Sequence, residues 1–442
     1  MNDLLERLNV SVPRYTSYPT ANTWKALDPL LFLSSLRSRD SSTPLSLYIH
    51  IPFCHALCLY CGCAVVVNRR PEREEEYVEA LLKEIDHAHS LLPPTHLQSI
   101  HFGGGSPTKL SDCQLGRIIK NIREKFTLST GAEIVIEVDP RTATLEKFKA
   151  LKDFGFNRIS LGIQDLNKNV QEVVGRCQSE EVSRHAFELA RSLHFESINI
   201  DLIYGLPQQT QSSFAETIDK IIHLRPDRVS LFSFAFLPHL LPHQKTLSPP
   251  PAREKFLMYA QARRRFLQHG FVSIGMDHFA SPTDILAEHS LRGLLRRNFQ
   301  GYTTFSSDIL GLGMTAISTL SQGFFQHPKT LASYYDGIKT HGIPCDRGIV
   351  MSHDDKIRQW VIEKLMCHFS VDKKSFLEEW GVKFDDYFHD DLSKISPLIE
   401  DGLVEVSHES IAASKKGVFF IRSLASCFDA YLQPCYGGSK AI

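Results

Sequence analysis

The chain has 442 residues, 43% of them hydrophobic and 22% charged, which suits a folded protein of roughly two or three domains whose core needs no covalent staples. Lys plus Arg number 49 against 50 Asp plus Glu, and this balance disfavours a nucleic-acid partner met through a global basic field. Ten cysteines are present, with Cys54, Cys58, Cys61 and Cys63 close together, whereas a secreted disulfide scaffold would be shorter and would spread its pairs.

The first residues, MNDLLERLNVSVPR, carry Asp3, Glu6 and Arg7 and lack the apolar stretch of a signal peptide. No run reaches the ~18–20 apolar residues of a membrane span. The expected setting is cytoplasmic, where thiols stay reduced and clustered cysteines more often bind metal. Residues 13–20, PRYTSYPT, hold two prolines and two tyrosines and predict an extended arm, the expected N-terminal unit being 1–40.

From residue 46 to about 280 two periodicities alternate. Short β-branched or aromatic runs predict strands at 46–53, 99–105, 132–140, 158–164, 197–205 and 228–235. Helical spacing lies between them: Tyr77, Val78, Leu81, Leu82 and Ile85 share a face after Pro71, and Leu145, Phe148 and Leu151 precede Gly155, a suitable stop. Such alternation implies a parallel sheet with right-handed crossovers. About six units fit, and a full eight-fold barrel needs about two more, so the expected fold class is α/β, a partial (β/α)6 barrel over 41–325. The acidic run EREEEYVEA (72–80) predicts a helix start with a solvated face. LSPPPAR (247–253) predicts a connection into a further helix.

Beyond residue 325 the pattern turns helical at 357–369, 375–381 and 386–403, followed by a β-wing-like segment at 404–414. The expected unit at 326–442 is a small helical, winged-helix-like C-terminal domain. Its acidic DDYFHDD and SPLIEDG segments favour a lid or packing role over phosphate contact.

The cysteines follow a predicted strand as Cys54-x3-Cys58-x2-Cys61-x-Cys63. Thiolates this close surround a single centre. A structural zinc site usually joins two separated knuckles, whereas C-x3-C-x2-C on one loop can tether three irons of a [4Fe–4S] cluster and leave one iron open; both readings stand on spacing alone. Cys63 is either a further ligand or a non-ligand facing the substrate side. The scattered Cys113, Cys177, Cys345, Cys367, Cys427 and Cys435 read as buried small hydrophobes.

C-x3-C-x2-C with Tyr60 just before the third cysteine resembles the radical S-adenosylmethionine superfamily. YIHIPFCHALCLYCGC, HFGGGSPT, IEVDPR, NRISLGIQD, NIDLIYGLP, GMDHFA and RNFQGYTT together resemble, within it, the oxygen-independent coproporphyrinogen III oxidase (coproporphyrinogen dehydrogenase) family, from PRYTSYPT to IRSLASCFDAYL. The resemblance implies an oxidoreductase of haem and porphyrin biosynthesis. It would decarboxylate two propionates of coproporphyrinogen III to vinyls, giving protoporphyrinogen IX, by means of a 5′-deoxyadenosyl radical. It implies a [4Fe–4S] cluster, two S-adenosylmethionine molecules, a flavodoxin- or ferredoxin-type electron donor and a monomer.

By the same resemblance Cys54, Cys58 and Cys61 are the cluster ligands, and Cys63, Tyr48 and Glu137 the catalytic set. Cofactor positions map onto Tyr48, Tyr60, Gly104, Gly105, Ser106, Glu137, Gln164, Arg176, Asp201, Ala235 and Ile317, with Phe299 and Gln300 near the second S-adenosylmethionine. The residues themselves allow plainer readings: Gly103–Gly105 as a tight turn, and Glu137, Gln164 and Asp201 as caps or loop ion pairs. Those three nevertheless sit near the ends of successive predicted strands, the rim where such folds build sites. A tetracarboxylate needs cations, for which Arg14, Arg296 and Arg297 are candidates, and Tyr15 and Tyr18 would help the arm cover the site or pack against the barrel. Two other classes compete: a haem-binding chaperone of the same superfamily, which typically lacks the arm and the Cys-Gly-Cys ending, and a zinc-stabilised winged-helix regulator, which leaves the barrel unexplained.

Overall fold

The structure, a computed structural model, describes residues 2–305, 308–433, 438 and 440. The six expected strands form at Leu45–Ile51 (β1), His96–Gly104 (β2), Thr127–Val138 (β3), Arg158–Gln164 (β4), Ser197–Tyr204 (β5) and Arg228–Ser233 (β6). They pair in parallel in that order. Every residue of β1 is buried, as a strand covered on both faces requires. The crossover helices include Pro71–Leu91 (α1), Asp112–Lys125 (α2), Leu145–Asp153 (α3), Glu180–Ser192 (α4) and Gln211–Leu224 (α5). Their starts are set locally: Ser111 and Thr210 close capping boxes, and Thr144 and Ser179 accept from backbone amides of the first turn.

The sheet is wider than six strands. Asp308–Leu312 (β7) adds a seventh parallel strand on the outer side of β1. Antiparallel strands Ile317–Leu320, Gly323–Gln326, Arg347–Val350 and Lys25–Ala26 continue beyond β7, while His278–Ala280 and Val272–Ile274 follow β6, giving an open 13-stranded sheet rather than a closed barrel. The helix expected after LSPPPAR runs over Ala252–Gln268 (α6).

The C-terminal region packs His353–His368 (α7) and shorter helices around a core of its own, with a three-stranded sheet of Ser370–Asp372, Ser410–Ala413 and Val404–Val406 as the wing. Tyr15 and Tyr18 join this C-terminal core rather than the barrel. Tyr15 donates a hydrogen bond of 3.0 Å to Asp429, and the Tyr18 hydroxyl accepts one of 3.0 Å from the amide of Ala430. The segment 13–20 is non-helical, but the arm also carries helices at Asn2–Leu8 and Pro29–Arg37.

Two local expectations need correction. Glu74, inside the acidic run, is buried and pairs with Lys109 at 2.8 Å, tying α1 to the turn after the glycine run. Cys113 and Cys177 are exposed, one in the first turn of α2 and the other ahead of α4, while Cys345, Cys367 and Cys427 are buried. Cys435 lies outside the described residues. Among the described residues no helix is long and apolar enough to cross a membrane.

Candidate active site

The carboxyl ends of the parallel strands form one rim, and the cysteine loop leaves it directly after β1. Backbone bonds pin the loop: Val66 N donates to Pro52 O at 2.7 Å, Asn68 N to Cys54 O at 3.1 Å and Leu59 N to Val174 O at 2.9 Å. Gln244 Nε2 bridges the carbonyls of Tyr60 (3.3 Å) and Ala235 (3.2 Å), and His243 Nε2 donates to Cys61 O at 2.8 Å. Ala235 therefore meets the loop through its backbone.

Positive charge surrounds the thiols. Arg176 Nη1 lies 3.7 Å from Cys58 Sγ, while its other nitrogen donates to Gly162 O at 2.7 Å. Asp139, held by Arg141 at 2.6 Å and 3.5 Å from Arg176, fixes that guanidinium. Tyr60 packs beside Cys58 and Arg176. Burial, with Cys61 and Cys58 adding to it, pushes the Cys54 thiol up to about 12. Cys63 donates toward Cys61; that bond, aided by His243 and Arg176, pulls Cys61 down to about 6 and holds Cys63 well above the usual thiol range. Cys63 is solvent-exposed.

The glycine run is explained by close approach. A Cβ on Gly103 would come within 2.7 Å of Glu137 and 3.1 Å of Tyr48, and one on Gly105 would meet the carbonyls of Pro52 and Phe53. Gly104 has φ +111°, and a Cβ there would strike the His50 ring at 2.6 Å. The run thus lets the side chains of the floor and the start of the cysteine loop come close to its backbone.

On the floor, Glu137 accepts from Gly104 N (3.2 Å) and His101 Nε2 (3.1 Å). His50 Nε2 donates to Ala64 O at 3.0 Å, and burial keeps the ring neutral, so Nδ1 accepts from the Tyr48 hydroxyl at 3.2 Å. Burial, with Glu137 adding to it, raises the Tyr48 hydroxyl well above its ordinary value. Burial and then Glu137 also raise Asp201, which accepts from Ser160 and Asn199 at 2.8 Å each. Gln164 ends β4 at φ +69°, beside a register shift, and turns back over Gly162; a non-glycine residue there carries backbone strain.

Phe299 stands edge-on to Tyr48, ring centres 5.0 Å apart. Ile317 backs Gly311, which registers with Tyr48 across the sheet. Gln300 lies at the tip of the Arg296–Asn298 and Gly301–Thr303 hairpin, its amide donating to Asn298 at 2.8 Å. The structure therefore gathers Tyr48, Glu137, Phe299 and Ile317 in one place, and Cys58, Tyr60 and Arg176 in another along the same rim.

Among the expected cations, Arg296 pairs with Glu363 of α7 at 3.4 Å, and Arg297 is buried 3.7 Å from Asp277 and over the Tyr302 ring. Arg14 also pairs with Asp277 but borders a cavity. His50, His101 and His243 were not foreseen. His50 was readable, since two positions along a strand place it on the face of Tyr48; the contact of His243 crosses 182 positions and leaves no local signal.

The donor set fits the groups the resemblance implies. Three thiols stand on one pinned loop, with a fixed guanidinium beside Cys58, a setting that suits iron–thiolate bonds. Ser106 Oγ, Arg176 Nε and Gln300 Nε2 are buried without a hydrogen-bond partner among the described residues. A polar cofactor such as S-adenosylmethionine would supply acceptors and donors to them.

Comparison with known proteins follows the same lines. The family model described as the Radical SAM superfamily matches residues 48–221, and that of the HemN C-terminal domain matches 351–420. The chain is 44% identical over 435 residues to the oxygen-independent coproporphyrinogen III oxidase of Salmonella typhimurium, covering 97% of this chain and 95% of that one. It is 40% identical over 442 residues to the protein of that name from Synechocystis sp., covering 98% and 95%. A solved Escherichia coli structure, described as coproporphyrinogen III oxidase (HemN) and a radical SAM enzyme, matches with a TM-score of 0.91 at 42% identity, over 96% of this chain and 100% of that one.

Proposed function

The chain belongs to the oxygen-independent coproporphyrinogen III oxidases of the radical SAM superfamily, and from that premise we propose that this oxidoreductase converts coproporphyrinogen III to protoporphyrinogen IX in haem biosynthesis by decarboxylating two propionates to vinyls. Each propionate gives up CO2, one hydrogen atom and one electron. When bound, a [4Fe–4S] cluster with S-adenosylmethionine supplies a 5′-deoxyadenosyl radical that takes the hydrogen from the propionate β-carbon.

The chain's own residues hold and orient. Cys54, Cys58 and Cys61 are the cluster ligands in this reading, with Arg176 as the fixed charge beside them. Tyr48, Tyr60, Gly104, Gly105, Ser106, Glu137, Gln164, Arg176, Asp201, Ala235 and Ile317 place one S-adenosylmethionine, and Phe299 and Gln300 a second. Cys63, Tyr48 and Glu137 face the substrate, and the buried floor excludes water. A reduced flavodoxin- or ferredoxin-type protein feeds electrons to a cytoplasmic monomer.

The observation that carries the reading is the pinned three-thiol loop beside Arg176, on the rim that also holds Glu137 and Asp201. The presence of both the PRYTSYPT arm and the Cys-Gly-Cys ending favours the enzyme over the haem-binding chaperone. Anaerobically reconstituted protein given reductant, coproporphyrinogen III and S-adenosylmethionine should release CO2 and 5′-deoxyadenosine. Tight haem binding without decarboxylation would overturn it.

A further inference from the structure

Next to Ala235 lies a cavity of about 380 Å³ bounded by the arm, the segment after β6, the start of α6 and the C-terminal end of the described chain. Four cations border it: Arg14, Lys255, Arg422 and Lys440. Among the described residues no Asp or Glu lines it. Arg14 is partly offset by Asp277, and Arg422 is held by carbonyls of Val12, Pro13 and Lys440. Lys255 has no carboxylate beside it among the described residues and donates only to the Phe234 carbonyl, at 3.1 Å.

The path of that lysine is built in. Its stem crosses Gly205, at φ +81°, where a Cβ would come within 2.6 Å of Cε. Glycine at this position both takes the left-handed conformation and clears the route that carries the ammonium to the cavity wall. The remaining walls are largely apolar, with Phe234, Phe236 and Leu237 among them. Burial, followed by Arg422, Arg14 and Lys440, pushes the ammonium down to about 8. Four cations on one cavity, one of them met by Asp277, favour a bound anion there.

We propose that this cavity is the carboxylate subsite for the tetrapyrrole, with Lys255 as the ammonium that grips one propionate while an apolar wall takes the adjoining pyrrole edge. The inference rests on the reaction proposed above and adds where the unreacted end of the substrate is held. The cavity suits one edge of a macrocycle. An anchor on that edge would orient another propionate toward the rim.

The test uses coproporphyrin III, the stable aromatic tetracarboxylate, and its tetramethyl ester, each titrated into the purified full chain and followed by the shift of the porphyrin absorption band. Lys255→Met should weaken the acid about ten- to a hundredfold, the loss of one charge-assisted contact, and leave the ester unchanged. Lys255→Arg should recover most of the binding, which a merely misfolded protein would not. KM for coproporphyrinogen should rise more than kcat falls. Equal binding of the acid by wild type and Lys255→Met overturns the subsite, as does equal weakening of acid and ester. Loss of S-adenosylmethionine binding in its place assigns the cavity to the cofactor's carboxylate and overturns it too. Wild-type protein that binds the acid through Lys255 yet releases no CO2 overturns the reaction and not the subsite.

Discussion

The guanidinium of Arg176 reaches from the Gly162 carbonyl, 2.7 Å away, to within 3.7 Å of the Cys58 sulfur. One side chain thereby joins the end of β4 to the cysteine loop, and Asp139 at 3.5 Å fixes its plane. Arg176→Met should keep the fold, since methionine fills the stem's volume. It should cut 5′-deoxyadenosine release about ten- to a hundredfold at matched iron content, the usual cost of losing a partner of a metal ligand. Release equal to wild type would leave Arg176 with packing alone.

Cys61 and Cys63 are neighbours with different expected fates. Cys61→Ala should abolish the visible absorption of the reconstituted cluster and all turnover. Cys63→Ser should retain absorption and iron while slowing turnover. Loss of iron in the second variant would make Cys63 a ligand and overturn the assignment.

Gly104 and Gly131 both have positive φ, +111° and +75°, but only a Cβ on Gly104 meets other atoms within 4 Å. Gly131→Ala should therefore cost about 1–3 kcal/mol of backbone strain. Gly104→Ala should cost more, because the His50 ring must also move and release Tyr48. Denaturant midpoints of the two variants compare them directly.

Glu84 is fully buried on α1, accepting from Tyr334 (2.6 Å) and from the amide of Gly313 (2.8 Å). Burial lifts its carboxyl to about 8, the two hydrogen bonds opposing only in part. The native state then keeps a proton that the unfolded chain releases above about 4.3, so this group's contribution is intact below that pH and is lost as pH rises to about 8. The melting temperature should fall over that interval. Glu84→Gln, which cannot ionise, should flatten the slope; an unchanged slope would locate the proton elsewhere.

The six expected strands were legible because buried parallel strands read as continuous β-branched runs bounded by turns. β7 escaped notice: DILGL is short, its glycine weakens the pattern, and its partner β1 precedes it by more than two hundred positions. The thiol loop was legible from spacing, since its cysteines are local. Of the candidate cations, Arg14 lines the cavity beside Lys255. Arg296 and Arg297 stand beside the FQG segment, yet the fold commits them to Glu363 and Asp277. Lys255 looks like an ordinary helix lysine until Gly205 and the arm are placed against it. Local pattern sets elements; charge neighbours are set by contacts across the whole chain.

Those long contacts also order events in time. Arg422, Asp429 and Ala430 hold Val12, Pro13, Tyr15 and Tyr18, so residues 12–18, although made early on the ribosome, lack this part of their seat until residues 422–430 have emerged. The 13-stranded sheet has its last strand at Arg347–Val350 and so has all its strands before then. Until that last segment is made the two ends of the chain cannot meet, and the cavity they jointly border has only part of its wall.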